Sequence, residues 1–135
     1  MNEARVKVIE TFVDAWNRQD LAAALEMTDE DFEYVNPPNA LEPGTRRGAD
    51  GVTTVVTKQW EALGDDARLE IDQMHHREDQ VIAEARLSRG MPDSTARLEV
   101  KAALGFTFDG ERLIRLEVLG NGPDFDDALA EAGVG

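Results

Sequence analysis

Tyr34 and Asn36 stand two apart in "FEYVNPPN". In an extended chain that spacing puts both side chains on one face, together with Phe32. A phenol and a carboxamide there offer donors and acceptors for a ligand oxygen or a water molecule. Neither can take a proton from carbon near neutral pH. His75 and His76 are the side chains that titrate in that range. Adjacent strand residues point to opposite faces, so at most one of them faces inward. Beside Tyr34 it would complete an acid–base pair. On the plainer reading both belong to a surface turn, because the polar run "REDQ" follows. Their opposed directions also make a poor metal motif, and no metal or cofactor is expected. Arg46 and Arg47 either meet an anionic ligand or are solvated loop charges.

The elements that must position these groups are legible in the hydrophobic pattern. Val6, Ile9, Phe12, Val13 and Trp16 recur at helical steps. "NRQD" interrupts that helix, and Asp20 is the expected N-cap of a shorter one carrying Leu21, Ala24 and Leu25. A period-2 strand covers Phe32, Tyr34 and Asn36. Pro37 to Gly48, with three prolines and two glycines, is expected to be loop. A third helix, about 50–63, turns Val52, Val55, Val56 and Trp60 one way. Strands follow: "ARLEIDQMHH", "VIAEARLS", "TARLEVKAALGFTF" and Leu113 to Leu119, with turns at "REDQ", "RGMPDS" and "DG". "PDFDDALAEAG" closes the chain as a short acidic helix. Helices first and antiparallel strands after them predict an α+β domain. One apolar sheet face would cover the helices. The other, with Glu84, Arg86, Arg97, Glu99, Lys101, Arg115 and Glu117, would face water or a second subunit.

The chain of 135 residues is sized for one domain, here 1–135. Apolar residues make up 41% and are spread along its length, so a folded core is expected despite 31% charged residues. The formal charge of −14 argues against nucleic acid and anionic lipid as partners. There is no cysteine, which excludes disulfides and a thiolate nucleophile and fits a reducing cytoplasm. No apolar run is long enough for a membrane span.

Three segments carry a family resemblance: "FVDAWNRQDLAAAL", "EPGTRRGADGV" and "FTFDGERLIRLEV". With the element order, they make the chain resemble the nuclear transport factor 2-like superfamily, in its SnoaL-like, ketosteroid isomerase-like and limonene epoxide hydrolase-like branch. The resemblance implies a cone-shaped sheet, strongly curved and mainly antiparallel, wrapped around three helices of the N-terminal half, with a central pocket. It also implies a homodimer through the outer sheet face. Strand parity then names the expected lining. Phe12, Trp16 and Trp60 come from the helices; Phe32, Tyr34 and Asn36 from the first strand. Ala83, Ala85, Leu87, Ala102, Leu104 and Phe106 follow, then Leu116, Val118 and Gly120. The small residues either leave room for a ligand or are filled over by neighbouring aromatics. The tryptophans either stack on a ligand or pack in the core.

The family's chemistries fit unevenly. An isomerase of this type needs a carboxylate base and an acidic oxyanion hole. Those positions fall on Asn36, Phe12 and Leu104, so that mechanism is rejected. Tyr34-x-Asn36 matches the water-holding pair of the epoxide hydrolases. Their charged relay, however, falls near Ala85, Leu87 and Val118. Glu84 and Arg86 lie on the wrong face unless a bulge re-aims one of them. Two functions remain. One is a SnoaL-like lyase, isomerase or hydrolase acting on a hydrophobic ring-containing substrate. In it Tyr34 donates, Asn36 orients water or an oxygen, and His75 or His76 serves as acid–base. The other is a non-catalytic small-ligand-binding or assembly domain.

Overall fold

The computed structural model describes residues 3–38, 40, 42–91, 93 and 95–134. Asn39 and Leu41 of the expected Pro37–Gly48 loop lie outside the described residues, as do Pro92 and Ser94 of the turn "RGMPDS". Helix α1 (Glu3–Asn17) buries Ile9, Phe12, Val13 and Trp16 of the expected stripe and also Ala15, while Val6 is only half-buried. Helix α2 (Leu21–Leu25) starts at Asp20, whose carboxylate accepts the Ala23 N–H at 3.2 Å. Without it that N–H would have no helical partner. Between the two helices the Asn17 amide acts as a strand substitute. It donates to the Leu69 carbonyl at 2.9 Å and accepts the Leu69 N–H at 2.7 Å. The break in "NRQD" thus fastens α1 to a strand at the sheet's edge.

Strand β1 (Thr28–Asn36) begins earlier than the pattern predicts. The Pro/Gly segment is not all loop: Gly44–Arg47 forms β2, antiparallel to β1, with Arg46 opposite Tyr34. Its backbone pairing is decided by the neighbouring strand, and a four-residue segment has no period to reveal it. Helix α3 (Gly48–Leu63) follows, with Val52, Val55 and Val56 buried. Then come β3 (Arg68–His76), β4 (Gln80–Gly90), β5 (Arg97–Asp109) and β6 (Arg112–Asn121). A 3-10 turn (Gly122–Asp124) leads into helix α4 (Phe125–Glu131). One six-stranded sheet runs β2-β1-β6-β5-β4-β3. It is antiparallel except where β1 lies parallel to β6. This is the α+β architecture expected.

The inner face packs on α1 and α3. Phe12 meets Phe32 at 6.2 Å and the edge of Phe106 at 6.5 Å between ring centres. Such tilted and edge-on pairs suit the ring quadrupoles. Four irregularities interrupt the sheet's register. They lie between Thr28 and Glu33 on β1, between Ile71 and Gln73 on β3, and opposite Thr107/Phe108 and Ala103/Leu104 on β6. Each extra residue exchanges the faces of everything beyond it.

The outer face is only partly free. Helix α4 lies on it, burying Phe125, Ala128 and Leu129 against Ile82 and Ala103. Lys101 sits over the Phe125 ring at 5.5 Å. Elsewhere Arg86 gathers Asp72, Glu70 and Glu99, at 2.8, 2.8 and 3.3 Å. The hydrogen bond from Arg86 holds the Asp72 carboxyl below its ordinary 3.8. A hydrogen bond from Arg47 at 2.6 Å likewise holds Glu33 below 4.5. A carboxyl lowered in the folded state stabilises above its unfolded pKa, and that stabilisation is lost as pH falls through the folded value. Thermal midpoints are therefore expected to stay level from about pH 7 to about pH 5 and to drop below about pH 4. Asp72→Asn should flatten part of that drop. A slope unchanged by Asp72→Asn would mean that the Arg86 pairing contributes nothing measurable. Among the described residues, no helix is long and apolar enough to cross a membrane.

Candidate functional site

A cavity of about 240 Å³ opens between the helices and the inner sheet face. Phe12 and Trp16 of α1 form one wall, and Gln59 and Leu63 of α3 another. Tyr34 and Asn36 stand at the end of β1, both buried, with Ala40 beyond them. Leu87, Ala102, Leu104, Leu116 and Val118 supply the sheet side. Phe32 and Phe106 lie in the closed core, and Ala83 and Ala85 are buried there too, so these four do not line the cavity. Trp60 is also outside the lining. It stacks edge-on against Trp16 at 5.9 Å, and its Nε1–H is buried without a partner among the described residues.

The polar end of the cavity is tied down. The Tyr34 hydroxyl donates to Gln59 Oε1 at 3.1 Å. Burial pushes its pKa up to about 12, so at neutral pH it is a hydrogen-bond donor and not a phenolate. Asn36 Nδ2 donates to the Glu42 carbonyl at 2.9 Å and holds the loop after β1 across the cavity's rim. The Glu42 carboxylate turns away to Lys58, 3.6 Å off on α3. Among the described residues, no Asp, Glu, His, Lys or Arg lines the cavity.

Residues 9–116 match the model of the SnoaL-like domain family, well over half of the chain. The chain belongs to that family. Its fold is that of the nuclear transport factor 2-like superfamily, and solved structures agree. A nuclear transport factor 2-like protein from Burkholderia thailandensis has a TM-score of 0.72 at 20% identity, covering 100% of both chains. A putative polyketide cyclase from Sinorhizobium meliloti has a TM-score of 0.67 at 20% identity, covering 83% of this chain and 93% of that one. TerC, co-crystallized with polyporic acid, has a TM-score of 0.73 at 15% identity, covering 85% and 89%. At such identities the likeness speaks for the fold. No curated protein sequence matches the chain.

In this SnoaL-like domain the histidines do not reach the cavity. The β3 bulge leaves His75 opposite Ile82 on the outer face, where its Nε2 meets Glu84 Oε2 at 2.6 Å. His76 takes the inner parity opposite Val81, but at the far end of the strand from the cavity. Val81 and the cavity's Leu87 are separated by about 20 Å along β4, at about 3.3 Å per residue. The expected acid–base partner for Tyr34 is therefore corrected for both residues. β4 and β5 pair without a register shift, so Glu84 and Arg86 keep to the outer face. The second β6 bulge overturns one more expectation. Gly120 turns outward opposite Ala103, and Asn121 turns into the cavity opposite Ala102. Gln59 was legible and missed: it extends the stripe of Val52, Val55 and Val56 by one turn. Leu69 and Val100 follow the inner parity of their strands.

Proposed function

We propose that this SnoaL-like domain binds a small, hydrophobic, ring-containing molecule through a hydrogen-bonding oxygen, and does so without acid–base turnover. One observation carries the reading: among the described residues, the cavity is apolar with four uncharged polar side chains, Tyr34, Asn36, Gln59 and Asn121. General acid–base catalysis needs a group that titrates near the working pH. Tyr34, pushed up to about 12, stays a protonated phenol at pH 7. The volume lies just below the roughly 300–1,000 Å³ of sites for drug-sized ligands, which favours one or two rings over a steroid.

A SnoaL-like lyase, isomerase or hydrolase is the second reading, supported by Tyr34 and Asn36 lining one cavity. Such an enzyme would have to stabilise a developing oxyanion with fixed donors. The homodimer that the resemblance implies would use the part of the outer face left open by α4, around Arg86 and its carboxylates.

A thermal-shift screen with steroids, terpene epoxides and polyketide-like aromatics, followed by calorimetry, tests the reading. Tyr34→Phe and Asn36→Ala are each expected to weaken a hit about fivefold to tenfold, the scale of one hydrogen bond. Unchanged affinity in both variants would sink it. Mass spectrometry of the bound compound separates the two functions: an unaltered ligand supports binding, and a product lost in Tyr34→Phe supports the enzyme.

A further inference from the structure

We infer that the cavity selects neutral ligands over anionic ones, and that Asn121 is the specificity-determining residue of its lining; this rests on the small-molecule reading above. Among the described residues, the polar side chains of the lining are one phenol and three carboxamides. An amide recognises a ligand by donor and acceptor and needs no charge. A carboxylate entering the cavity would lose its water and, among the described residues, meet no cation in the wall, which is costly. Lys58 is paired with Glu42, and Arg46 donates to the Pro43 carbonyl at 3.4 Å. The chain's charge of −14 adds long-range repulsion.

The three amides are not equivalent. Asn36 gives one N–H to the Glu42 carbonyl, and the Gln59 oxygen accepts from the Tyr34 hydroxyl. Asn121 has no side-chain hydrogen bond among the described residues. It lines the cavity with neither amide atom committed to another described side chain or backbone group. The bulge that places it there breaks the β5–β6 register to do so. Bulges of this kind recur next to sites, where they re-aim one side chain.

Two probes of one shape test this: 2-naphthamide, neutral, and 2-naphthoate, an anion at pH 7. By calorimetry the amide is expected to bind at least about tenfold more tightly, with a wider gap at low salt. Asn121→Leu should weaken the amide about tenfold and leave naphthalene, which has no polar atom, bound as before. Asn121→Ala serves the same comparison should the larger side chain disturb folding. Equal or tighter binding of the carboxylate overturns the inference, as does a parallel loss of naphthalene in both variants. If neither probe binds while other compounds in the screen do, this inference fails alone. If nothing binds, the underlying reading fails with it.

Discussion

Phe106→Ala is expected to destabilise the domain by about 3–5 kcal/mol, read as a lowered urea midpoint with an unchanged slope. Phe106 is fully buried at 0% exposure. On its sheet neighbours it faces Val81 and Leu116, and its edge meets Phe12. It lies outside the cavity lining, so truncation leaves a sealed void that the strands cannot close without breaking register. The lost transfer energy and the void then add. Phe12→Ala makes the contrast. Phe12 touches the same core but also borders the existing cavity, so the vacated space joins one that is already open. Its loss should sit at the lower end of the same range. A loss under about 1 kcal/mol for Phe106→Ala would show a core that collapses freely.

Gly120→Ala is expected to lower stability by about 2–3 kcal/mol and to loosen α4. Gly120 does not carry an unusual backbone angle; close approach is what forbids a side chain. A Cβ there would stand 2.7 Å from the Ala128 Cβ and 2.9 Å from the Asp124 carbonyl oxygen. The second contact is backbone, so relief requires the helix to lift. Phe125 and Leu129 would then leave Ile82 and Ala103. Hydrogen exchange should show faster exchange across residues 125–131 while β1 stays protected. Unchanged protection in α4 would mean that the helix can shift at little cost.

Most of the architecture was legible because its periodicities are clean. The stripe from Ile9 to Trp16 and the alternation from Ala102 to Phe108 each have one reading. The pocket was less legible for two physical reasons. Parity does not say how far along a strand the cavity extends, which left Phe32, Ala83, Ala85 and Phe106 in the core. Parity also holds only until a bulge. Between Ile71 and Gln73 one extra residue decides which histidine faces inward. Near Leu119 another exchanges Gly120 for Asn121. Nothing in "LEVLGNGPD" announces this extra residue, which lies where α4 packs on the outer face. Strand β2 was hidden for a related reason: its pairing belongs to β1 and not to its own composition. Gln59, by contrast, could have been read from helical spacing alone.

The parallel contact between β1 and β6 has a consequence for the order of folding. Strands β3 to β6 form a meander of neighbours, each closing a short loop on the last. The pairing of β1 with β6 joins distant parts of the chain; the ion pair of Arg112 with Asp29 links residues 83 apart. Closing so long a loop costs more entropy and is compensated only when the far contacts form. Tyr34 and Asn36 reach their places through that junction. The meander can therefore assemble as a nucleus, while the polar end of the cup is completed only when β1 docks on β6. Substitutions in the meander should slow refolding, and substitutions along the β1–β6 seam should mainly speed unfolding.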